Sequence, residues 1–189
     1  MIMSTSPVTS GSENDSQVTP DENHSQLTIR ALTIRQPWAS LMALRLKQME
    51  TRSWDTKYRG PVAIHAGLAW PCPIGNYFTI GDFEFERCRS GLIMWGPGCE
   101  RATLLPMGAV VAVGELFQTR STTNSEHCPD DRERALGDHS PGRFAWSITS
   151  ISRLPQPIPA VGHQGFWSWE MPAGLNEQLL YPIRTDGAS

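Results

Sequence analysis

Lys47, Glu50, Arg52 and Trp54 fall within one short stretch, Lys-x-x-Glu-x-Arg-x-Trp. If that stretch is a strand, its side-chain period of two puts Glu50, Arg52 and Trp54 on one face and Met49, Thr51 and Ser53 on the other. A carboxylate, a guanidinium and an indole then stand in a row, with the Lys47 ammonium at the mouth. Such a row can stack a base, hold a phosphate and hydrogen-bond a base edge. Gln36 and Trp38 sit one helix upstream and would line the same groove. Alternating charges on a strand are also what an ordinary solvated face looks like, and Trp54 could simply cap a core. Spacing alone favours that plainer reading.

The remaining chemistry-bearing residues are less suggestive. His65 alternates with Ile64, so it is expected to face away from the core that Ile64 enters. A lone strand histidine is most simply a satisfied polar side chain, but its position keeps it among the candidate ligand contacts. Trp146, Trp167 and Trp169 read as core or rim packing. Ser40 and Ser53 sit in no nucleophile-elbow motif. The chain has no phosphate loop, dinucleotide fingerprint or zinc-protease motif. Its cysteines, Cys72, Cys88, Cys99 and Cys128, are widely spaced. They read as reduced thiols in a cytoplasmic protein, and a metal set joining three of them to His127 has little support from spacing. No metal or cofactor is expected.

The elements that must position these residues follow from pattern. Leu27 to Ile34 alternates as a first strand. Gln36-Pro37 breaks it, and the proline suits the first turn of a helix from Trp38 to Lys47, about three turns long. That helix would end on Lys47, where a cation complements the dipole. Gln48 to Trp54 is a second strand, Tyr58 to Pro61 a turn and Val62 to Ala66 a third strand. Leu68 to Met107, rich in Gly and Pro, reads as an insertion packed over the domain, with a short helix across Asp82 to Gly91. Gly108 to Thr119 is a near-continuous apolar strand, expected to be central. Ser121 to Pro141 is polar and loop-like, with one helical turn at Asp130 to Ala135. Arg143 to Ile151 alternates, Leu154 to Gly162 is extended and proline-set, and Gln164 to Trp169 closes the domain.

Composition bounds the whole. The 189 residues are 39% hydrophobic and 19% charged, which fits one globular domain and neither a membrane bundle nor a wholly disordered chain. No run approaches the roughly 18 apolar residues of a membrane span. The net charge of −3 hides an asymmetry. Residues 1–26 carry four acids and no Lys or Arg. They lack aromatic residues and read as a disordered acidic tail. Between Arg30 and Gly60 seven cations face two acids, a local excess of +5. Nearby partners respond to that local field rather than to the whole-chain pI of 5.9. The domain is expected over 27–170, with a C-terminal extension over 171–189.

Several motifs, taken in order, resemble one family. They are Leu32-x-Ile34-x-Gln36-Pro37-Trp38-Ala39, Lys47-x-x-Glu50-x-Arg52-Ser53-Trp54, Tyr58-Arg59-Gly60-Pro61 and Ile64-His65-Ala66. The later stretches are Gly108 to Phe117, Gly142-Arg143-Phe144-Ala145-Trp146, Leu154-Pro155, Pro157-Ile158-Pro159 and Gly162-x-Gln164-Gly165-x-Trp167. Together they resemble the ASCH domain family, activating signal cointegrator 1 homology. The resemblance implies a mainly β fold with α, a PUA-like, partly closed β-barrel with a helix flanking a cleft. It also implies nucleic-acid binding, chiefly RNA, with the Lys-x-x-Glu-x-Arg signature at Lys47, Glu50 and Arg52 lining the cleft. Some small relatives are amidohydrolases that use a Lys, a Thr and a Glu, and others are reported as ribonucleases. This chain has the lysine at Lys47 but Glu50 where those amidohydrolases carry threonine. It also has Arg45 where many members place glycine after the helix.

Three expectations follow. The first is an RNA or nucleotide-like ligand held by Gln36, Trp38, Lys47, Glu50, Arg52, Trp54, His65 and Arg143, with cations on phosphates and a tryptophan on a base. The second is a hydrolase in the same cleft, with Lys47 as general base and Glu50 as proton relay. The third is an adaptor whose acidic tail and insertion recruit a protein partner. None of the three involves a membrane.

Overall fold

The computed structural model describes residues 27–69, 77–88, 91–97 and 103–175. The expected acidic tail (1–26) and most of the C-terminal extension lie outside the described residues. The elements run β1 (Thr28–Ile34), α1 (Trp38–Ala43), β2 (Met49–Arg52), β3 (Gly60–Ala66), β4 (Tyr77–Ile80), β5 (Phe83–Cys88), β6 (Gly91–Trp95), β7 (Thr103–Leu105), β8 (Ala109–Ser121), α2 (Asp131–Leu136), β9 (Phe144–Pro159) and β10 (Phe166–Glu170). The fold is mainly β, in two sheets. The larger has the order β10-β1-β3-β8-β9-β2 and the smaller β4-β5-β6-β7. β10 and β2 are free edges of the larger sheet, and no closed barrel forms among the described residues.

β1 and β3 pair in parallel, from Arg30 opposite Val62 to Ile34 opposite Ala66. A parallel pair needs a crossover. The segment carrying α1, β2 and the Lys47–Trp54 motif is that crossover, and it places β2 at the edge of the same sheet beside β9. Apolar residues cover both faces. Leu32, Ile34, Val62, Ile64, Trp146 and Ile148 pack beneath α1 residues Ala39, Met42 and Ala43. Ile29, Ala31, Ala63, Val110, Val113, Leu154 and Trp169 pack on the other side. β8 and β9 run antiparallel along most of their length, with register shifts at three places. Ser150, in the middle of β9, has φ of 46°, a left-handed conformation that bends a strand.

Three sequence expectations need correction. The first helix stops at Ala43, four residues before Lys47. Arg45 itself adopts the left-handed conformation (φ 59°). The chain then folds back, so that Leu46 and Lys47 both donate backbone N–H groups to the Leu41 carbonyl (2.9 and 3.2 Å). Second, Asp82 to Gly91 is not a helix. Phe83 and Phe85 are buried and alternate with exposed Glu84 and Glu86, and that period of two is a strand, β5. Third, the insertion is not irregular where it is described. It forms an antiparallel meander whose Phe83, Phe85, Leu92, Met94 and Leu105 pack with Leu41 of α1 and Leu136 of α2. No helix among the described residues is long and apolar enough to cross a membrane.

Candidate nucleic-acid interface

Lys47, Glu50, Arg52 and Trp54 line a common cavity of about 1110 Å³, together with Trp38 and Arg143. Strand β2 sets this arrangement. Glu50 lies directly opposite Trp146 of β9 and Arg52 opposite Phe144. Opposed residues of an antiparallel pair share a face, so Glu50 and Arg52 stand over the Trp146 core. Trp54, just past the strand, packs edge-on against Trp146 (centroids 4.5 Å, 87°) and Phe166 (5.7 Å). The indole therefore packs against the core and borders the cavity at once.

The Lys47 ammonium is not at the mouth. The residue is 1% exposed, so it forms part of the wall. It donates to the Met49 carbonyl and pairs with Glu133 Oε2 at 3.5 Å. Glu133, from α2, also accepts the backbone N–H groups of Gln48 and Met49. One carboxylate thereby holds three donors from the loop before β2, which offsets the cost of burying the charge. Asp130 caps α2 by accepting the Glu133 N–H at 2.7 Å. The Asp130-x-x-Glu133 spacing is a helix-start signal visible in the sequence. That Glu133 turns inward to Lys47, 86 positions away in the chain, is not visible there.

Each of two cavity arginines is pinned twice. Arg52 lies 3.2 Å from Glu50 through Nε and donates Nη2 to the Thr33 carbonyl at 2.8 Å. Arg143 pairs with Asp138 at 3.3 Å and donates Nη2 to the Thr51 carbonyl at 3.0 Å. Asp138 is held below the usual carboxylate value, chiefly by hydrogen bonds from Ser140, with Arg143 adding to the effect. Behind this wall His139 Nε2 faces the Glu133 carbonyl at 3.0 Å and must carry the proton. Its Nδ1 is then an acceptor, and His127 Nε2 donates to it at 3.0 Å. Burial lowers both histidines. His139 and Lys47 add charge repulsion to their respective neighbours. Cys128, beside His127 in sequence, is exposed and free.

Two candidate contacts lie elsewhere. Gln36 is fully buried. Its amide accepts the Ser40 N–H (3.1 Å) and donates to Ser40 Oγ (2.8 Å) and the Pro106 carbonyl, so it fastens the start of α1 and does not reach the cavity lining. His65 is 1% exposed and also outside the lining. Its alternation with Ile64 does turn it to the other face, but β3 is central and that face is covered too. It donates Nε2–H to the Ala160 carbonyl at 3.0 Å, and Nδ1 has no partner among the described residues. Gly162 lies against the ring, where an added Cβ would come within 2.6 Å of Nδ1. Burial pushes His65 below the ordinary imidazole value. Arg45 likewise points away from the cavity, donating Nε to the Ile151 carbonyl at 2.7 Å.

The lining also includes residues that sequence reasoning passed over. Arg35, Asp138, Phe78, His163 and Gln164 are among them. The loop bearing His163 and Gln164 was legible as part of the Gly162-x-Gln164-Gly165-x-Trp167 motif, but with no role assigned to its side chains. Phe78 belongs to the insertion, whose packing has no local signature.

Residues 32–122 match the ASCH domain model. No curated protein matches the chain. The matched span holds Trp38, Lys47, Glu50, Arg52 and Trp54, while Glu133, Arg143 and the 162–165 loop fall beyond it. The signature residues that line the cavity fall inside that span, and the match supports the ASCH domain family for this chain.

Proposed function

We propose that the cavity binds a base-bearing, phosphate-containing ligand, an RNA segment or a nucleotide. The observation that carries this is that two tryptophans, Trp38 and Trp54, line the same cavity as several cations. Indole faces stack bases without regard to sequence, and cations answer the phosphates. The family resemblance supports the same reading, with a PUA-like sheet curving towards a partly closed barrel and a cytoplasmic setting. Tryptophan fluorescence titration with short single-stranded RNA and with nucleoside monophosphates tests it. Affinity should fall as salt rises. Salt-insensitive binding, or no binding to any of these probes, would remove the proposal.

A second reading, a hydrolase, draws on the buried Lys47–Glu133 pair at the cavity wall. In that reading Lys47 first passes its ammonium proton to the Glu133 carboxylate beside it, and the neutral amine then takes a proton from water or substrate. Glu50 is already turned to Arg52. Turnover of single-stranded RNA or modified nucleosides that disappears in Lys47→Ala would favour it. An adaptor role for the acidic tail rests on sequence charge alone.

A further inference from the structure

The cavity has four cationic side chains on its lining, but their charges are not equally available. Lys47 is matched by Glu133, Arg52 by Glu50 and Arg143 by Asp138, at 3.5, 3.2 and 3.3 Å. Each of the three also donates to a backbone carbonyl. An anion arriving at any of them must displace a carboxylate or share a charge that is already neutralised. Arg35 differs. It is exposed, it lines the cavity, and its guanidinium has no carboxylate or hydrogen-bond partner among the described residues.

β1 and β10 pair antiparallel from Thr28 opposite Glu170 to Leu32 opposite Phe166. Past Phe166 the chain leaves that register, and the loop before β10 brings His163 and Gln164 to the cavity that Arg35 also lines. Both residues are exposed and line the cavity. The His163 ring rests on Trp167 at 5.5 Å, which holds it at the end of the sheet. A guanidinium unpartnered among the described residues, an imidazole and a carboxamide thus border the same cavity. A guanidinium offers forked donors that fit a phosphate, and the other two can supply further donors.

We infer that phosphate recognition in this cavity falls to the Arg35–His163–Gln164 rim, while Lys47, Arg52 and Arg143 form a framework already neutralised by Glu133, Glu50 and Asp138. The inference rests on the proposed reading that the ligand carries phosphate. It makes Arg35, outside the Lys-x-x-Glu-x-Arg signature, the cation that sets the salt dependence of binding.

The test compares wild type, Arg35→Gln and Lys57→Gln in binding a short oligouridylate across a range of salt. Lys57 is an exposed lysine off the cavity and controls for net charge. Arg35 is exposed and unpartnered among the described residues, so Arg35→Gln should fold as wild type does, which a melting curve verifies. The inference expects Arg35→Gln to flatten the plot of log affinity against log salt by about 0.7, the share of one single-strand phosphate, with Lys57→Gln unchanged. Equal slopes for wild type and Arg35→Gln overturn it and leave the broader proposal standing. If wild type fails to bind RNA, the broader proposal fails, and titration with inorganic phosphate followed by ¹H–¹⁵N NMR decides the rim alone. Shifts at Arg35 and His163 that vanish in Arg35→Gln support the inference, and their absence in wild type refutes it.

Discussion

Glu133 ties the ammonium of Lys47 and two backbone N–H groups to α2, in a place where the two side chains are 1% and 8% exposed. Removing one member leaves the other charged and dry, a loss of about 3–5 kcal/mol for a buried pair. Glu133→Ala and Lys47→Ala should each show a loss of that order in urea unfolding near neutral pH. The double variant should lose clearly less than the two singles together, because the pair acts as a unit. Additive losses would mean that the two residues act apart. The sequence made one side of this pair legible. Lys47, Glu50, Arg52 and Trp54 are close in the chain, and a period of two is enough to gather them. Glu133 is a long-range partner in a polar stretch, where nothing local distinguishes an inward carboxylate from a solvated one. His65 shows the complementary limit. Alternation tells which face a residue takes but not whether that face is covered.

At the scale of elements, α2 is a six-residue helix and depends on its ends, because so short a helix has little stability of its own. Asp130 supplies the cap, accepting from Glu133 N–H. Asp130→Ala should therefore cost about 1 kcal/mol of global stability, measured by chemical unfolding, and Asp130→Asn or Asp130→Ser should restore most of it. A full loss in the serine variant would argue that Asp130 acts through charge and not as a cap. The helical turn itself was readable from its polar, capped beginning, as were β1, β3, β8 and the extended start and end of β9. The insertion was harder because Gly and Pro dominate its composition. Within it the Phe83-Glu84-Phe85-Glu86 alternation carried a strand signal. The helix expected there gave too little weight to two aromatic residues that need a common face.

Across the whole molecule, three histidines, His65 on β3 and the paired His127 and His139 beside α2, are shifted towards the neutral form. Burial is the first cause for His65, His127 and His139, and each lies below the ordinary value of 6.5. The unfolded chain therefore takes up protons before the folded one as pH falls. Their contribution to stability is complete above about 6.5 and is lost as pH drops below it towards the folded values. Urea unfolding should give a steady free energy between about pH 7 and 8 and a decline below about 6.5. His65→Gln should make that decline shallower. An unchanged decline would remove His65 from the linkage. Asp138, with its lowered value, contributes in full above 3.8 and loses that contribution only as pH falls below it. Strand order was not legible, because pairings such as β1 with β3 join segments by packing and not by pattern. One such long-range feature shapes the binding region. Laid out straight, the 16 residues of β9 would reach roughly 50 Å, yet Arg143 before it and Gly162 after it border the same cavity. The strand must therefore curl like a bow, with Ser150 and the register shifts at its flex points. The hollow's width is then a matter of backbone curvature, and straightening that bow would part its two sides without altering a single lining residue.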